Sequence, residues 1–362
     1  MSSTTTRMPA SRADDVRARR RMAVLPGLVL LLVLAAMLAA TVGAAGIPLD
    51  RLLAALGLVV ADDPTQLARD TLVLWSVRLP RIAMAAIVGG LLAAAGALMQ
   101  GLFRNPLADP ALVGVSPGAA LAAAATIVLT DRFLADGNVG LAFEILPIAA
   151  FAGAIAITLL LYRIATRDGR TLVATLLLAG LALGAIANAG IGLLVFMSDD
   201  RQLRDITFWM LGALGGATWG KVATIAPVLA VLIVASPVIA RGLDALVLGE
   251  AEAFHMGVSV ERLKRAAIVL IAAATGAAVA VSGVVGFVGI VVPHLLRLLI
   301  GPGHRLLLPA SICSGAILLL GADSLARTLA APAELPIGVV TAAIGAPFFL
   351  YLLLRQRALV AL

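Results

Sequence analysis

The sequence predicts an all-α, polytopic membrane protein with about ten transmembrane helices. Of its 362 residues, 62% are hydrophobic and only 13% carry a charge. Soluble domains contain about 25% charged residues, so this chain has too few charges to keep its apolar surface in water. The apolar residues also gather into runs, and a run of about 20 residues is enough for one helix to cross a bilayer.

Ten such runs are the candidate spans, and several are short or interrupted by glycine and proline. They cover residues 23–46, 81–102, 113–130, 142–162, 171–196, 219–241, 266–284, 285–300, 306–328 and 337–354. The first run has 24 residues, whereas the apolar core of a signal peptide has about 7–15, so we expect it to remain in the bilayer. Residues 1–22 are expected to form a disordered cytosolic tail, residues 23–357 the ten-helix domain and residues 358–362 a C-terminal tail.

The basic residues predict the orientation of these spans. With the N-terminus inside, an even number of spans also places the C-terminus inside. This arrangement assigns 18 of the 27 lysines and arginines to the cytosolic side and 9 to the outer side, a bias that agrees with the positive-inside rule. Because the basic residues lie at the ends of apolar runs, the net charge of +7 is explained by topology, and a nucleic-acid partner is not predicted.

Two further patterns concern the packing of the spans. "RLPR" (78–81) opens the second span and "RLKR" (262–265) opens the seventh, which runs in the opposite direction. This echo is typical of an inverted repeat, although basic residues at helix ends also recur by chance. Stretches of small residues such as "GGLLAAAGALMQG" (89–101) predict a closely packed bundle, because small side chains let membrane helices approach each other.

Two cytosolic segments stand out from ordinary loops. "NPLADP" (105–110) lies at the inner end of the second span, and the backbone groups that its prolines free must be buried in protein or face water. It is either a short connection or a constriction at the inner mouth of a pathway. "LGEAEAFHMGV" (248–258) separates spans six and seven, and is either a loop or a small helix that docks on a cytosolic partner.

Three arginines lie on the outer side against the general trend, namely Arg78, Arg81 and Arg327. In one interpretation they are structural, and Arg327 pairs with Asp323 four residues earlier on the same helix. In the other they form a docking surface for an acidic partner, whose orientation and association rate such charges would control.

The sequence predicts no metal, cofactor or catalytic residue, so we expect a protein that is not an enzyme. His255, His294 and His304 are too far apart for a local metal-binding motif. Cys313 is the only cysteine, which excludes an intrachain disulfide.

One stretch, "GGATWGKV" (215–222), has the G-x-x-x-x-G-K spacing of a phosphate-binding loop. A true loop of this kind continues with Ser or Thr, whose hydroxyl binds Mg²⁺, whereas Val222 follows Lys221 here. The topology also places the stretch outside, where there is no ATP. We therefore expect a turn that caps the outer start of the sixth span, and any ATP site must be on another chain.

An ion gradient is a less suitable energy source. Proton- and sodium-driven carriers place acidic residues inside the membrane, whereas the spans here contain almost none, and Glu144 and Asp323 lie near predicted outer ends. An ion-coupled secondary carrier and a structural membrane subunit without a pathway remain the alternatives to an ATP-driven transporter.

Six stretches carry a more specific pattern, and the first contains "RLPRIAMAAIVGGLLAAAGALMQGLFRNPLADPALVGVSPGAA". They are residues 78–120, 176–184, 208–219, 248–258, 286–309 and 333–353. With them the chain resembles, from about residue 24 to 357, the permeases of ABC importers for iron-siderophores, haem and vitamin B12. The resemblance implies a type II importer permease fold with an inverted repeat, in a multi-pass protein of the bacterial inner membrane with both termini cytosolic.

The resemblance also implies partners. They are a second copy of the chain, with the pathway at the dimer interface, two cytosolic ATP-binding subunits that hydrolyse the ATP, and a periplasmic substrate-binding protein. By similarity, Arg78, Arg81 and Arg327 would meet glutamates on the two lobes of the binding protein.

By similarity, the cytosolic segment 248–258 would be the coupling region seated on the ATPase. Its pattern residues are Leu248, Gly249, Glu250, Ala253, Met256, Gly257 and Val258, where Met256 replaces the usual leucine.

Asn105, Pro106 and Leu107 match one cytosolic gate segment. The other gate segment reads Leu172, Val173 and Ala174, where vitamin B12 permeases have small hydroxyl residues, so the gate chemistry departs from the pattern. Residues 199–219 look most like haem permeases, which makes haem the expected substrate and a ferric siderophore or cobalamin the alternatives.

Overall fold

The fold is taken from a computed structural model of the chain, which describes residues 12–42, 47–60, 63–133, 139–331 and 333–360. In these residues the chain is almost entirely helical. The first half contains the elements α1 Arg12–Thr41, α2 Leu49–Ala55, α3 Pro64–Val73, a π-helical turn Leu74–Arg78, α4 Leu79–Phe103, a 3₁₀ turn Pro110–Val113, α5 Val115–Phe133 and α6 Val139–Ala165.

A two-stranded hairpin follows α6. The second half contains the elements β1 Thr166–Arg167, β2 Arg170–Thr171, α7 Val173–Phe196, α8 Asp200–Leu211, α9 Trp219–Leu246, α10 Glu250–His255, α11 Val260–Ser282, α12 Val288–Ile300, α13 His304–Leu329 and α14 Ile337–Val360. The antiparallel strands pair Thr166 with Thr171.

The ten predicted spans all correspond to helices. In the described part of the chain, seven helical segments are long and apolar enough to cross a membrane, and three shorter apolar helices correspond to the third, eighth and tenth predicted spans. The prediction of an all-α fold with about ten transmembrane helices is therefore confirmed. The largest difference is at the second span, where α3, the π-helical turn and α4 form one continuous helix over residues 64–103.

This continuous helix projects beyond the bilayer on the predicted outer side. A helix of 40 residues is about 60 Å long, roughly twice the thickness of the hydrocarbon core. Pro80 lies just after the π-helical turn. A proline ring clashes with the carbonyl four residues earlier, and we attribute the wider turn to this clash. Arg51 and Asp70 join α2 to α3 through two hydrogen bonds of 2.7 and 2.8 Å.

Two helices form the buried centre of the bundle. Most residues of α4 and α11 are buried, and α4 packs on α9, α11, α12 and α13. These two helices open the two halves of the predicted repeat, so their central position and mutual contact agree with that interpretation. By contrast, fewer than a third of the residues of α7 and α9 are buried, which leaves apolar surface for lipid or for another protein.

Glycine contacts explain why α4 lies so close to its neighbours. Gly89 faces Gly315 of α13, and Gly96 faces Gly289 of α12. A Cβ atom at Gly89 or Gly96 would overlap the carbonyl oxygen of the facing glycine. The backbones therefore approach closely, as the small residues at 89–101 predicted.

The expected termini need correction. Helix α1 begins at Arg12, so the expectation of disorder is wrong for residues 12–22, and residues 1–11 lie outside the described part. Residues 12–22 contain neither glycine nor proline, and their arginine and alanine residues favour a helix. The helix of the first span therefore begins before the apolar run, at Arg12. Likewise, α14 continues to Val360, and residues 358–360 are helical rather than a separate tail.

Substitution of Gly96 tests the α4–α12 contact. We expect Gly96→Ala to lower the thermal unfolding midpoint in detergent, because forcing atoms into a packed contact costs about 1–3 kcal/mol. Gly321→Ala is the control, since nothing lies within 4 Å of a Cβ at this position on α13. The control should leave the midpoint unchanged or raise it, because alanine favours helices over glycine. Equal midpoints for the two variants would contradict the contact.

Candidate functional site

Of the three outer arginines, Arg78 and Arg81 are buried and Arg327 is half-buried. Arg78 ends the π-helical turn, and its side chain donates a hydrogen bond to the carbonyl oxygen of Ala40 on α1. Arg81 lies in the first turn of α4 and Arg327 in the last turn of α13. The structure therefore brings together residues that are almost 250 positions apart.

Arg81 is held by two carboxylates of its own chain. Its Nη2 lies 2.9 Å from Asp323 Oδ1, and its Nη1 lies 2.8 Å from Glu334 Oε1. Asp323 is buried, whereas the Glu334 side chain is 49% exposed in the loop after α13. The hydrogen bond from Arg81 lowers the pKa of Glu334, so this carboxyl is ionised at neutral pH and the pair persists.

Arg327 completes the same group, which we call the outer cluster (Arg78, Arg81, Asp323, Arg327 and Glu334). Its Nε lies 3.1 Å from Asp323 Oδ2, so the pairing at four-residue spacing is present. Its two Nη atoms donate to the carbonyl oxygens of Val42 and Ala39, at 2.9 and 3.2 Å. The outer cluster thus joins α1, α4 and α13, and its arginines already have partners within the chain.

The stretch 215–222 forms a turn and the start of α9, as predicted. The element before it is α8, a helix, whereas a phosphate-binding loop follows a strand. Thr218 caps α9 by accepting a hydrogen bond from the backbone N–H of Lys221 at 3.3 Å. The Lys221 ammonium donates to the carbonyl oxygen of Gly216 at 2.8 Å. Lys221 therefore stabilises the turn that precedes it by bonding the Gly216 carbonyl.

At the predicted inner end, residues 105–107 form a tight turn after α4. Arg104 ends the helix in the left-handed conformation, with φ 49°. The Asn105 side chain accepts a hydrogen bond from the backbone N–H of Leu107 at 3.0 Å. Asn105 and Pro106 are exposed, and Leu107 is half-buried. This predicted gate segment is therefore a defined turn at the surface.

Asp109 fixes the continuation of this turn. Its Oδ1 accepts a hydrogen bond from the backbone N–H of Ala111 at 2.7 Å, which starts the 3₁₀ turn. Burial raises the pKa of Asp109 to about 6, because a charge in apolar surroundings is disfavoured. Its Oδ2 would lie 3.1 Å from a Cβ at Gly289, so the loop rests on the first turn of α12.

The second predicted gate segment follows the hairpin. Leu172 caps α7 and is 57% exposed, Val173 is half-buried and Ala174 is exposed. The hydroxyl groups of Thr166 and Thr171 are 3.1 Å apart, and the Leu172 backbone N–H donates to Ala165 O at 3.0 Å. The hairpin therefore holds the start of α7 against the end of α6.

The segment 248–258 contains the expected small helix, α10, between α9 and α11. Ala253 is fully buried, whereas Leu248, Phe254 and Met256 are exposed. Gly257 has φ +83°, a left-handed conformation that favours glycine. The segment thus presents apolar side chains at the predicted cytosolic face, a feature typical of interaction sites.

Two clusters of polar side chains at the predicted inner end have no counterpart in the sequence-based predictions. The first is the lysine cluster (Lys264, Glu250, Glu261 and Thr171), in which the Lys264 Nζ lies 2.8 Å from Glu250 Oε2, 3.2 Å from Glu261 Oε1 and 3.0 Å from Thr171 O. The Thr171 backbone N–H also donates to Glu261 Oε2 at 3.0 Å.

The second is the histidine network (His304, Asp244, Arg297 and Gln100). His304 is fully buried at the start of α13, with Nδ1 2.8 Å from Asp244 Oδ1 and Nε2 3.0 Å from Arg297 Nη2. Arg297 Nε donates to Gln100 Oε1 at 3.3 Å. The network therefore joins α4, α9, α12 and α13. His255 lies on α10, and His294 lies on α12 three residues before Arg297.

The sequence contained only part of the signal for these groups. Glu261 and Lys264 are three residues apart on one helix, a spacing that favours an ion pair. From the sequence, Lys264 is indicated only as a topological charge and as part of the "RLKR" echo. Asp244 and His304 are 60 residues apart, and their pairing leaves no local pattern.

The chain is similar to known membrane permeases. Residues 30–355 match the sequence profile of the FecCD transport family. The chain is 46% identical over 282 residues to the hemin transport system permease protein HmuU of Yersinia pestis, which covers 78% of this chain and 83% of that protein. It is 44% identical over 287 residues to the cobalamin import system permease protein BtuC of Halobacterium salinarum, with 79% and 74% covered.

Two further comparisons are consistent with these. The vitamin B12 import system permease protein BtuC of Vibrio cholerae is 43% identical over 284 residues, with 78% of this chain and 83% of that protein covered. A solved inward-facing structure, assigned as a metal-chelate type ABC transporter, superposes with a TM-score of 0.77 at 32% identity. It covers 92% of this chain and 99% of its own.

Loss of the Asp323 charge tests the outer cluster. Asp323→Asn keeps the side-chain shape but leaves the Arg81 and Arg327 guanidinium groups without their shared carboxylate. We expect a loss of about 3 kcal/mol in unfolding free energy, since unpaired buried charges are strongly destabilising. The thermal unfolding midpoint in detergent measures it.

The control for this test is Glu334→Gln. It removes a half-exposed partner and should cost less than about 1 kcal/mol. If Asp323→Asn unfolds at the same temperature as the parent chain, the buried pair does not stabilise the fold.

Proposed function

The chain belongs to the FecCD transport family, and from this membership we propose that it is the membrane permease of an ATP-driven importer that moves haem from a periplasmic binding protein into the cytoplasm. The resemblance inferred from its motifs is confirmed at the level of the family. The observation that favours haem is the 46% identity to a hemin permease over 78% of the chain. Cobalamin is the second candidate, because two cobalamin permeases are 44% and 43% identical, and a ferric siderophore is the third.

The proposed assembly contains two copies of this chain, two cytosolic ATPase subunits and the binding protein, in the bacterial inner membrane. Ten spans keep both termini on the cytosolic side under the orientation inferred from the basic residues. The exposed apolar faces of α7 and α9 offer surface for a second copy as well as for lipid. The chain itself performs no chemistry in this scheme, since ATP hydrolysis belongs to the partner subunits.

The outer arginines Arg78, Arg81 and Arg327 are proposed to receive acidic residues of the binding protein. They lie together at one end of the bundle, which supports a common docking surface. Arg81 already bonds Asp323 and Glu334 within the chain. An acidic residue of the binding protein can therefore bond Arg81 only if it replaces one of these two carboxylates. We propose that a carboxylate of the binding protein displaces Glu334, which is half-exposed, while Asp323 stays in place.

The inner segments are proposed to couple and gate the pathway. Residues 248–258, with exposed Phe254 and Met256, would seat in the ATPase subunit. Asn105, Pro106 and Leu107 would form one gate segment, and Leu172, Val173 and Ala174 the other. ATP binding favours one arrangement of the partner subunits, and the permease converts that preference into access from one side of the membrane.

Reconstitution tests the energy source and the substrate together. The chain is placed in vesicles alone or with its ATPase and binding-protein subunits, and uptake of haem, cobalamin and a ferric siderophore is measured. We expect ATP-dependent haem uptake by the full complex only. Uptake by the chain alone under a pH or sodium gradient would contradict the importer, and a preference for cobalamin or siderophore would contradict haem.

Glu334→Gln tests the docking arginines. If Glu334 competes with the binding protein for Arg81, its removal should tighten docking by about two- to fivefold at low salt, the scale of a partly exposed ion pair. Surface binding measurements at several salt concentrations give this affinity. Glu144→Gln is the matched control, because it removes an exposed charge at the outer end of α6. An equal effect of both variants would remove Arg81 from the docking surface.

A further inference from the structure

The lysine cluster places one buried cation between three segments of the inner face. The Lys264 side chain is only 3% exposed, and its ammonium group lies within 3.2 Å of three oxygen atoms. An ammonium group has three hydrogen-bond donors, so the three acceptors match its full capacity. Because a buried charge is costly unless it is paired, Lys264 constrains the segments that supply these acceptors.

Those acceptors come from the neighbours of two proposed functional segments. Glu250 is the first residue of α10, inside the coupling segment 248–258. Thr171 ends β2 and directly precedes Leu172, the first residue of the second gate segment. Glu261 lies on α11, on the same helix as Lys264, and bonds the Thr171 backbone N–H as well. One ammonium group therefore joins the coupling segment to the gate segment.

The hairpin makes this link stiff. The Thr166 and Thr171 hydroxyl groups bond each other, and Leu172 bonds back to Ala165. A displacement of Thr171 would therefore carry Leu172 with it. Lys264 and Glu261 bond the backbone carbonyl and the backbone N–H of Thr171. These two bonds therefore hold the main chain of Thr171 and do not depend on its side-chain rotamer.

We propose that Lys264 is a positioning residue that transmits movement of the coupling segment to the gate segment 172–174. When the ATPase subunits displace α10, Glu250 moves, and Lys264 with Glu261 shifts Thr171 and the start of α7. The inference rests on the proposed function, because it needs the coupling role of 248–258 and the gate role of 172–174. If Lys264 had only a structural role, it would make the same contacts, but its loss would not change the response of the gate segment to nucleotide.

The test uses the reconstituted full complex and a thiol reporter at the gate. Leu172→Cys is introduced in a Cys313→Ser background, and its labelling rate by a water-soluble maleimide is measured with and without ATP. Leu172 is 57% exposed, so the reporter is accessible in this conformation. ATP hydrolysis, transport and the thermal unfolding midpoint are measured on the same samples.

Lys264→Gln and Glu250→Gln are the test variants. Each is expected to reduce the ATP-dependent change in labelling and the transport per ATP by about five- to tenfold, within the usual range of coupling between sites. Basal ATP hydrolysis should remain for Lys264→Gln, because Lys264 lies on α11 and outside the coupling segment 248–258. The double variant should behave like either single variant, because both break one link. Glu250→Gln, at a half-exposed carboxylate, keeps the test available if Lys264→Gln fails to fold.

Arg262→Gln is the matched control on α11, two residues before Lys264. Its side chain is exposed and is not part of the lysine cluster, so the variant should couple normally. Gly257→Arg is the reference that disrupts the coupling segment directly. If Gly257→Arg uncouples but Lys264→Gln and Glu250→Gln keep the nucleotide response, the Lys264 inference is wrong and the proposed function stands. If Gly257→Arg also couples normally, or the parent reporter ignores ATP, both are wrong.

Discussion

The close contact of α4 with α12 and α13 is the constraint on which the rest of the structure depends. In a bilayer the lipid tails are as apolar as leucine, so helices gain little from burying apolar surface against each other and associate by close packing. The facing pairs Gly96–Gly289 and Gly89–Gly315 remove the side chains that would keep these backbones apart. These contacts fix α4 at the centre of the bundle, and they determine which residues lie next to each of its ends.

Polar contacts at both ends of α4 depend on this position. At the outer end, Arg81 meets Asp323 of α13, and at the inner end the Gln100 side chain donates to the carbonyl oxygen of Gly289 on α12. A tilt of α4 against these helices would break bonds at both ends, and each buried group left unpaired would be costly. These bonds favour α4, α12 and α13 acting as one body. The movement proposed above would then be confined to α10 and the hairpin.

Much of the fold was predictable because its signals are local. Span length and hydropathy identified the ten long or apolar helices of the described residues, and the Asp323–Arg327 pair followed from a four-residue spacing. The closing of the 215–222 turn by Lys221 also depends on neighbours within five residues. By contrast, Lys264 bonds Thr171 across 93 positions, and Arg327 bonds backbone carbonyls on α1. Such partners are set by how helices pack, so no pattern along the chain could indicate them, and the helical start at Arg12 was hidden by the charge of its residues.

The π-helical turn at residues 74–78 has a consequence for how this chain tolerates change in length. Such a turn holds one residue more than the α-helix on either side, and one residue rotates a helix by about 100° about its axis. A single deletion there would restore a regular helix and swing the outer projection α2–α3 around the bundle, with α4 undisturbed. It would also shift the Trp75 carbonyl that accepts a hydrogen bond from the Trp219 indole at 2.9 Å. A change in the length of this turn would therefore alter the orientation of the outer surface in a related chain and leave the packing of the membrane helices unchanged.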